Sequence, residues 1–287
     1  MMRVVNFSDP VEYLRRVEAV LEQREVENNL ILGIATRLVE QPGWEKYVPY
    51  LGVVEEEGGQ IALIAAMTPP FRMLLAAPPD NPNLETACAQ LIESLRSGDW
   101  YVPGVNAESS LSECFARTWQ TITGQGFERK MQLRAYQLTQ VIPPPNPPPG
   151  FLREVTEADV DLVTRWRVAF MKEAMGEEED EANVHEIVAK RISSRDTYFW
   201  DDHGPVSMCV RTRPTKRGIS IGAVYTPPEK RGHGYASACV AAVSQRLLDS
   251  GKQYCTLFTD LDYPTSNEIY QKIGYRPVCD FTEYAFL

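Results

Sequence analysis

Six prolines in eight residues, Pro143 to Gly150 in the order PPPNPPPG, constrain this chain more than any other feature. Proline has no amide hydrogen and a fixed φ, so the run can enter neither a helix nor an interior strand. It favours a stiff, extended segment. The 287 residues are thereby divided into residues 1–142, a linker over 143–150, and residues 151–287. Each half is long enough to bury a core of its own.

The two halves share a pattern. LLAAPPDNPNLETACAQLIESL starts at Leu74, and AVYTPPEKRGHGYASACVAAVSQRLL starts at Ala223. In each, an apolar strand-like run meets a Pro-Pro turn, then a loop, then a helix carrying Ala-Cys. Pro78-Pro79 recurs as Pro227-Pro228, 149 residues on, and Gln125-Gly126-Phe127 recurs as Ile273-Gly274-Tyr275, 148 residues on. Self-similarity at this period points to a duplicated fold. In the second half the patterns predict strands at 151–155, 197–201, 206–211, 219–225 and 254–259. Helices are expected at 157–173, 182–193, 234–249 and 264–273, and two last strand segments fill 275–287. Thr156 and Asp159 form the capping pattern that opens the first helix. Strands separated by helices make this a mixed α/β fold.

Charge and cysteine usage narrow the partners. Lys plus Arg number 29 against 39 Asp plus Glu, a net charge of −10, which gives no help to binding a nucleic-acid backbone. The longest apolar run, Ile61 to Met67, is far short of the ~20 residues a membrane span needs. The start, MMRVVNFSDP, lacks the apolar core of a signal peptide. Six scattered cysteines without a CxxC pair, and three histidines, argue against a zinc site or a disulfide framework. They are expected to be reduced thiols of a cytoplasmic protein.

The chemistry concentrates in ISIGAVYTPPEKRGHGYASACVAAV. A strand, a glycine loop and a helix start together make an anion site, because the first helical N–H groups lack intrahelical partners. No Walker loop is present. A dinucleotide fingerprint would read Gly232-x-Gly234-x-x-Gly, but Ser237 takes the third place. A tight glycine turn before a helix explains the hexamer equally well by itself. The remaining reading is Arg/Gln-x-x-Gly-x-Gly/Ala, met by Arg231, Gly234 and Ala236. Further on comes PTSNEIYQKIGY, with Tyr270 ahead of Gly274-Tyr275.

These two motifs, in this order, resemble the GNAT superfamily, the GCN5-related N-acetyltransferases, over residues 151–287. The resemblance implies a fold whose fourth and fifth strands part in a V that takes acyl-CoA. Val224 and Tyr225 would then offer backbone groups to the pantetheine arm and the thioester carbonyl. Arg231, Gly232, His233, Gly234, Tyr235 and Ala236 would hold the pyrophosphate. Tyr270 would stand near the sulfur as general acid, its alternative being a packed aromatic. Tyr263 occupies the position of an asparagine in many relatives, and Asn267 either contacts the cofactor or caps its helix. Members of the family often use a fourth-strand carboxylate as base; the strand here carries none, and Asp260, just past the fifth strand, and Glu173, near the substrate-side helices, are candidates that leave the base open. The acidic run Glu177 to Glu181 is expected as a solvated loop, or as an attraction for a cationic amine. Arg211, Arg213, Lys216 and Arg217 mark a solvated hairpin turn, and His185 and His203 carry no motif.

The first half keeps the pattern without the chemistry. Its loop, Pro78 to Leu84, has neither glycine nor arginine, and Pro82 removes an N–H that a phosphate would need. It resembles a degenerate GNAT-like domain, and a degenerate half placed first also occurs in glycine N-acyltransferase-like enzymes. The implied activity is transfer of acetyl from acetyl-CoA to an amine acceptor, without a metal. A non-catalytic acyl-CoA-binding or regulatory module is the alternative.

Overall fold

A computed structural model of the chain describes residues 2–43, 45–176 and 178–287, without the side chains of Met175 and Thr265. Two series of elements follow the same order. The first is β1 (Arg3–Asn6), α1 (Pro10–Leu21), α2 (Asn29–Glu40), β2 (Tyr50–Glu55), β3 (Ile61–Met67), β4 (Met73–Ala76), α3 (Leu84–Ser97), β5 (Gly104–Glu108), α4 (Ser109–Thr123) and β6 (Phe127–Leu138). The second is β7 (Phe151–Glu154), α5 (Val160–Phe170), α6 (Glu181–Arg191), β8 (Thr197–Asp201), β9 (Pro205–Thr212), β10 (Gly218–Tyr225), α7 (Tyr235–Asp249), β11 (Tyr254–Asp260), α8 (Pro264–Lys272) and β12 (Arg276–Phe286). Strand for strand and helix for helix, the second series repeats the first.

The chain forms two compact units. One comprises Met1–Ala135, Thr259–Asp262 and Val278–Leu287, and the other Tyr136–Phe258 and Tyr263–Pro277. These are not the two sequence halves, because most of the second half's last strand joins the first unit, while the end of β6 joins the second. In the first unit the strand order is β1-β2-β3-β4-β5-β12-β6. There Phe281–Ala285 of β12 run antiparallel to Gly104–Glu108 of β5. In the second unit the order is β6-β11-β10-β9-β8-β7, with the end of β6 contributing.

The first unit buries its central strands on both faces. Tyr13, Val17, Ile31 and Leu38 of α1 and α2 pack on Val53, Ile64 and Ala66. Leu91, Leu95, Phe115 and Trp119 of α3 and α4 pack on Val54, Leu63, Ala65 and Val105. A strand covered on both sides must be apolar throughout, which is why β3 reads IALIAAM.

The second unit follows the same logic. Trp166, Val184 and Val188 of α5 and α6 cover Phe199 and Met208. Cys239, Val243, Leu247 and Tyr270 of α7 and α8, with Ile273 just past α8, cover Tyr198, Cys209, Ile219, Ile221 and Leu257, together with Tyr136 and Leu138 of β6. Adjacent residues such as Tyr198 and Phe199 go to opposite faces, the period of two of a strand.

Two local expectations change. The first helix of the second half is shorter than 157–173. Its start, Glu157–Asp159, is a 3-10 turn held by the Thr156–Asp159 capping box. Its end, Met171–Met175, is a π-helical turn. The last segment is one strand of 11 residues, not two.

Candidate active site

The site lies within the second unit and begins where two parallel strands part. Among the described residues, β10 pairs with β11 at Gly218, Ile219 and Ser220, opposite Tyr254, Cys255 and Thr256. Beyond Ser220 the edge of β10 that faced β11 has no strand partner among the described residues, so its backbone groups are open to a ligand. This is the V that the sequence resemblance implied between the fourth and fifth strands.

A bulge shapes the end of β10. Gly222 pairs with Val210 and Tyr225 with Met208, so Ala223 and Val224 together oppose Cys209. Ala223 takes up the distortion with φ +47°, a region that costs a non-glycine residue free energy. The extra residue shifts the alternation. Val224 packs on the same cluster as Ile219 and Ile221, whereas Tyr225 joins Trp166 and Met208 on the α5–α6 face.

Past the strand, Pro228–Lys230 form a 3-10 turn, and Arg231 to Gly234 lead into α7. Gly232 and Gly234 have φ of +81° and +80°, the left-handed region that glycine enters freely. A Cβ on Gly232 would meet nothing within 4 Å, so this backbone is bare. Gly234 caps α7 without any side-chain hydrogen bond, which leaves the helix N-terminus with its partial positive charge for an anion. Tyr235 turns its hydroxyl to Asp202 at 2.6 Å, so what it offers an anion is its backbone. His233 is exposed beside the Tyr235 ring, 5.7 Å between centroids. These residues suit a pyrophosphate.

Arg231 is aimed elsewhere. Its Nε donates to the Thr226 carbonyl at 2.9 Å and its Nη2 meets Glu173 Oε2 at 2.5 Å. Tyr225 Oη donates to the other Glu173 oxygen at 3.0 Å. Burial, and next the Glu173 carboxylate, raise the Tyr225 phenol above its ordinary pKa.

Tyr270 is buried in the α7–α8 cluster, edge-on to Tyr275 at 6.1 Å. Burial, and secondly the neighbouring Cys209 thiol, push its phenol far above the ordinary value. It is therefore protonated at neutral pH and can donate a hydrogen bond. Asn267 lies one helical turn earlier on α8. Its Oδ1 accepts from Tyr136 Oη at 2.9 Å and its Nδ2 donates to the Tyr263 carbonyl at 3.0 Å.

The two candidate bases part company. Glu173 is at the end of β10, as above, while Asp260 belongs to the first compact unit and accepts the Asp262 N–H. Of the acidic run, Glu177 lies outside the described residues, and Asp180 caps α6 by accepting the Asn183 N–H at 3.1 Å. Arg213 is not the solvated turn residue expected. Its guanidinium donates to Ser220 Oγ at 3.0 Å and lies on the Phe258 ring. The convergence of Tyr225, Arg231 and Tyr263 on Glu173 escaped the sequence reading. A π-helical turn and a bulge, neither with a sequence signature here, bring these residues together.

Solved structures with the same architecture exist across the full chain. A GNAT-family acetyltransferase from Colwellia psychrerythraea superposes with a TM-score of 0.62 at 9% identity, covering 99% of this chain and 100% of its own. This is a tandem GNAT fold. A GCN5-related N-acetyltransferase from Sphaerobacter thermophilus gives 0.63 at 16% identity, covering 100% of this chain and 95% of its own. A tandem GNAT protein from the clavulanic acid biosynthesis pathway gives 0.60 at 13%, covering 100% and 98%. The family described as FR47-like protein matches residues 204–285, the part of the GNAT fold that holds the V, the glycine loop and Tyr270. No curated protein matches the sequence. Among the described residues, no helix is long and apolar enough to cross a membrane.

Proposed function

We propose that the protein is an N-acetyltransferase that moves the acetyl group of acetyl-CoA to a primary amine, with residues 151–287 as the catalytic half and residues 1–142 as a degenerate copy. The observation that carries this reading is the parting of β10 from β11 after Ser220, next to an uncapped glycine-loop helix start. The full-length GNAT fold and the FR47-like match support it.

Acetyl-CoA supplies the activated acetyl group. The backbone of Val224 and Tyr225 holds the pantetheine arm and polarises the thioester carbonyl. The loop from Arg231 to Ala236 binds the pyrophosphate through N–H groups and the α7 dipole. Tyr270 donates a hydrogen bond to the departing sulfur. Its raised pKa makes it a poorer acid than a thiol, whose reference value is near ~8.5, so it stabilises the thiolate more than it protonates it. Asn267 braces α8 through Tyr136 and touches the cofactor only secondarily. Six scattered cysteines without a CxxC pair fit a reducing compartment, the cytoplasm. The net charge of −10 suits small amines rather than nucleic acid.

The test is an acceptor screen: acetyl-CoA with a panel of primary amines, following the freed thiol. Amine-dependent thiol release is expected. Acetyl-CoA binding without transfer to any amine would favour a non-catalytic acyl-CoA-binding module.

A further inference from the structure

Arg231 stands next to the glycine loop, and its guanidinium contacts the Thr226 carbonyl, the Glu173 carboxylate and the face of the Tyr225 ring. Glu173 gathers three side chains. Arg231 and Tyr225 take its two carboxylate oxygens, and Tyr263 Oη reaches its main-chain carbonyl at 3.4 Å. These come from the loop before α7, from β10 and from the residue before α8. On its own turn Glu173 has Lys172 beside it, itself paired with Glu178 at 3.5 Å. The side chains of Glu173 and Arg231 remain 42% and 49% exposed, so burial locks neither in place.

We propose that Glu173 is the base for the acceptor amine, and that Arg231 latches it until a pyrophosphate takes the guanidinium. This rests on the acetyltransferase reading above. An exposed ion pair is worth only about 0.2–1 kcal/mol, so a pyrophosphate held by a helix N-terminus and several N–H groups outcompetes it. When Arg231 turns to the phosphates, Glu173 keeps the Tyr225 hydrogen bond, which fixes one oxygen at the end of β10. The other oxygen is released from its cation and left free to meet the amine.

The step then balances as follows. The amine lone pair forms the N–C bond to the acetyl carbon, and the C–S bond breaks with its electron pair on sulfur. The proton lost by nitrogen passes to the free Glu173 oxygen and from there to water. The latch makes the base available only when the donor is bound. It also supplies a base to a strand, ISIGAVY, that carries no carboxylate: the strand contributes Tyr225, and the helical turn contributes the carboxylate that Tyr225 orients.

Glu173→Gln tests both parts. The amide keeps the shape and still accepts from Tyr225, but it neither pairs with Arg231 nor takes a proton. Because the side chain is half exposed, the variant is expected to fold with an unchanged melting temperature. Calorimetric titration with CoA, which needs no acceptor, should show about two- to fivefold tighter binding. Turnover with a primary amine accepted by the wild-type chain should fall by about 10²-fold or more. CoA affinity unchanged or weaker in the variant overturns the latch, and turnover within about threefold of wild type overturns the base. A wild-type chain that binds no CoA would overturn the acetyltransferase reading and this proposal with it. A wild-type chain that binds CoA but acetylates no amine would remove the base role, while the affinity comparison would still decide the latch.

Discussion

Met208 and Tyr225 stand opposite each other in the β9–β10 register and turn to the same face, towards α5 and α6. Without the bulge, Tyr225 would continue the Ile219–Ile221 alternation and point to α7. Ala223, at φ +47°, absorbs the extra residue. Ala223→Val should therefore lower stability by about 1–3 kcal/mol, since a β-branched residue is poorly accommodated there. Ala223→Gly should hold stability or raise it by up to about 1 kcal/mol, relief of strain offsetting lost chain stiffness. Urea unfolding of the two variants checks the ordering.

Tyr270→Phe removes one hydroxyl from a buried ring and leaves the helix propensity nearly unchanged. A phenol held far above its ordinary pKa contributes a hydrogen bond rather than a full proton. The expected loss in turnover is thus about 10- to 10²-fold, at or below the lower end of general-acid effects. CoA affinity should stay within about twofold. Steady-state rates and titration on the same preparation separate the two.

Removing residues 278–287 should unfold the first unit, although they lie at the far end of the sequence. β12 supplies the partner of β5, Phe286 stacks on Trp119 at 4.6 Å, and Ser112 Oγ donates to the Thr282 carbonyl at 2.6 Å. Arg134 on β6 forks onto Asp280 at 2.6 and 2.8 Å. Hydrogen exchange on a chain ending at Pro277 should show protection lost over β5 and β6. Protection retained there would contradict the placement of β12 between β5 and β6.

Asp159 links β7 to the start of α5. Arg153 donates to both its oxygens, at 2.8 and 2.9 Å, and the Thr156 N–H donates at 2.8 Å. The Arg153 pairing first, and the Thr156 bonds next, lower its pKa from 3.8 to about 2 against an opposing effect of burial. A depressed carboxylate stabilises the fold above its unfolded pKa, and that contribution fades as pH falls through the folded one. Asp159→Asn should cost about 1–2 kcal/mol at neutral pH. Arg153 keeps Asp201 as a second partner, which limits the loss. The gap to wild type should close between roughly pH 4 and pH 2, as read by denaturant unfolding across pH.

The legible part of this protein is local. The strand and helix positions around Arg231 and Tyr270 follow from alternation, glycine and proline, and α7 begins within one residue of the expected Gly234. The duplication shows as recurring Pro-Pro and Ala-Cys pairs because each repeat needs the same strand-loop-helix corner. What stays hidden is non-local. Nothing in FTEYAFL says that its antiparallel partner is β5 rather than a nearer strand, because the same alternation suits either. Likewise, the meeting of Glu173 with Tyr225 depends on a one-residue bulge that reverses which face a side chain takes.

The most direct test of the account is calorimetric titration of the full chain with acetyl-CoA, repeated on Gly234→Asp. Space is no obstacle to the substitution, since a Cβ there would meet only Pro148 at 3.8 Å. Aspartate tolerates the left-handed region better than most residues. The added carboxylate opposes the phosphates at close range, so affinity should fall at least about tenfold while the variant stays folded. The wild-type chain should bind one acetyl-CoA, because the Pro78 to Leu84 loop of the first half lacks the glycines and the arginine that the second half provides. Two molecules bound per chain, or an unchanged affinity in the folded Gly234→Asp variant, would contradict the placement of the site at the start of α7.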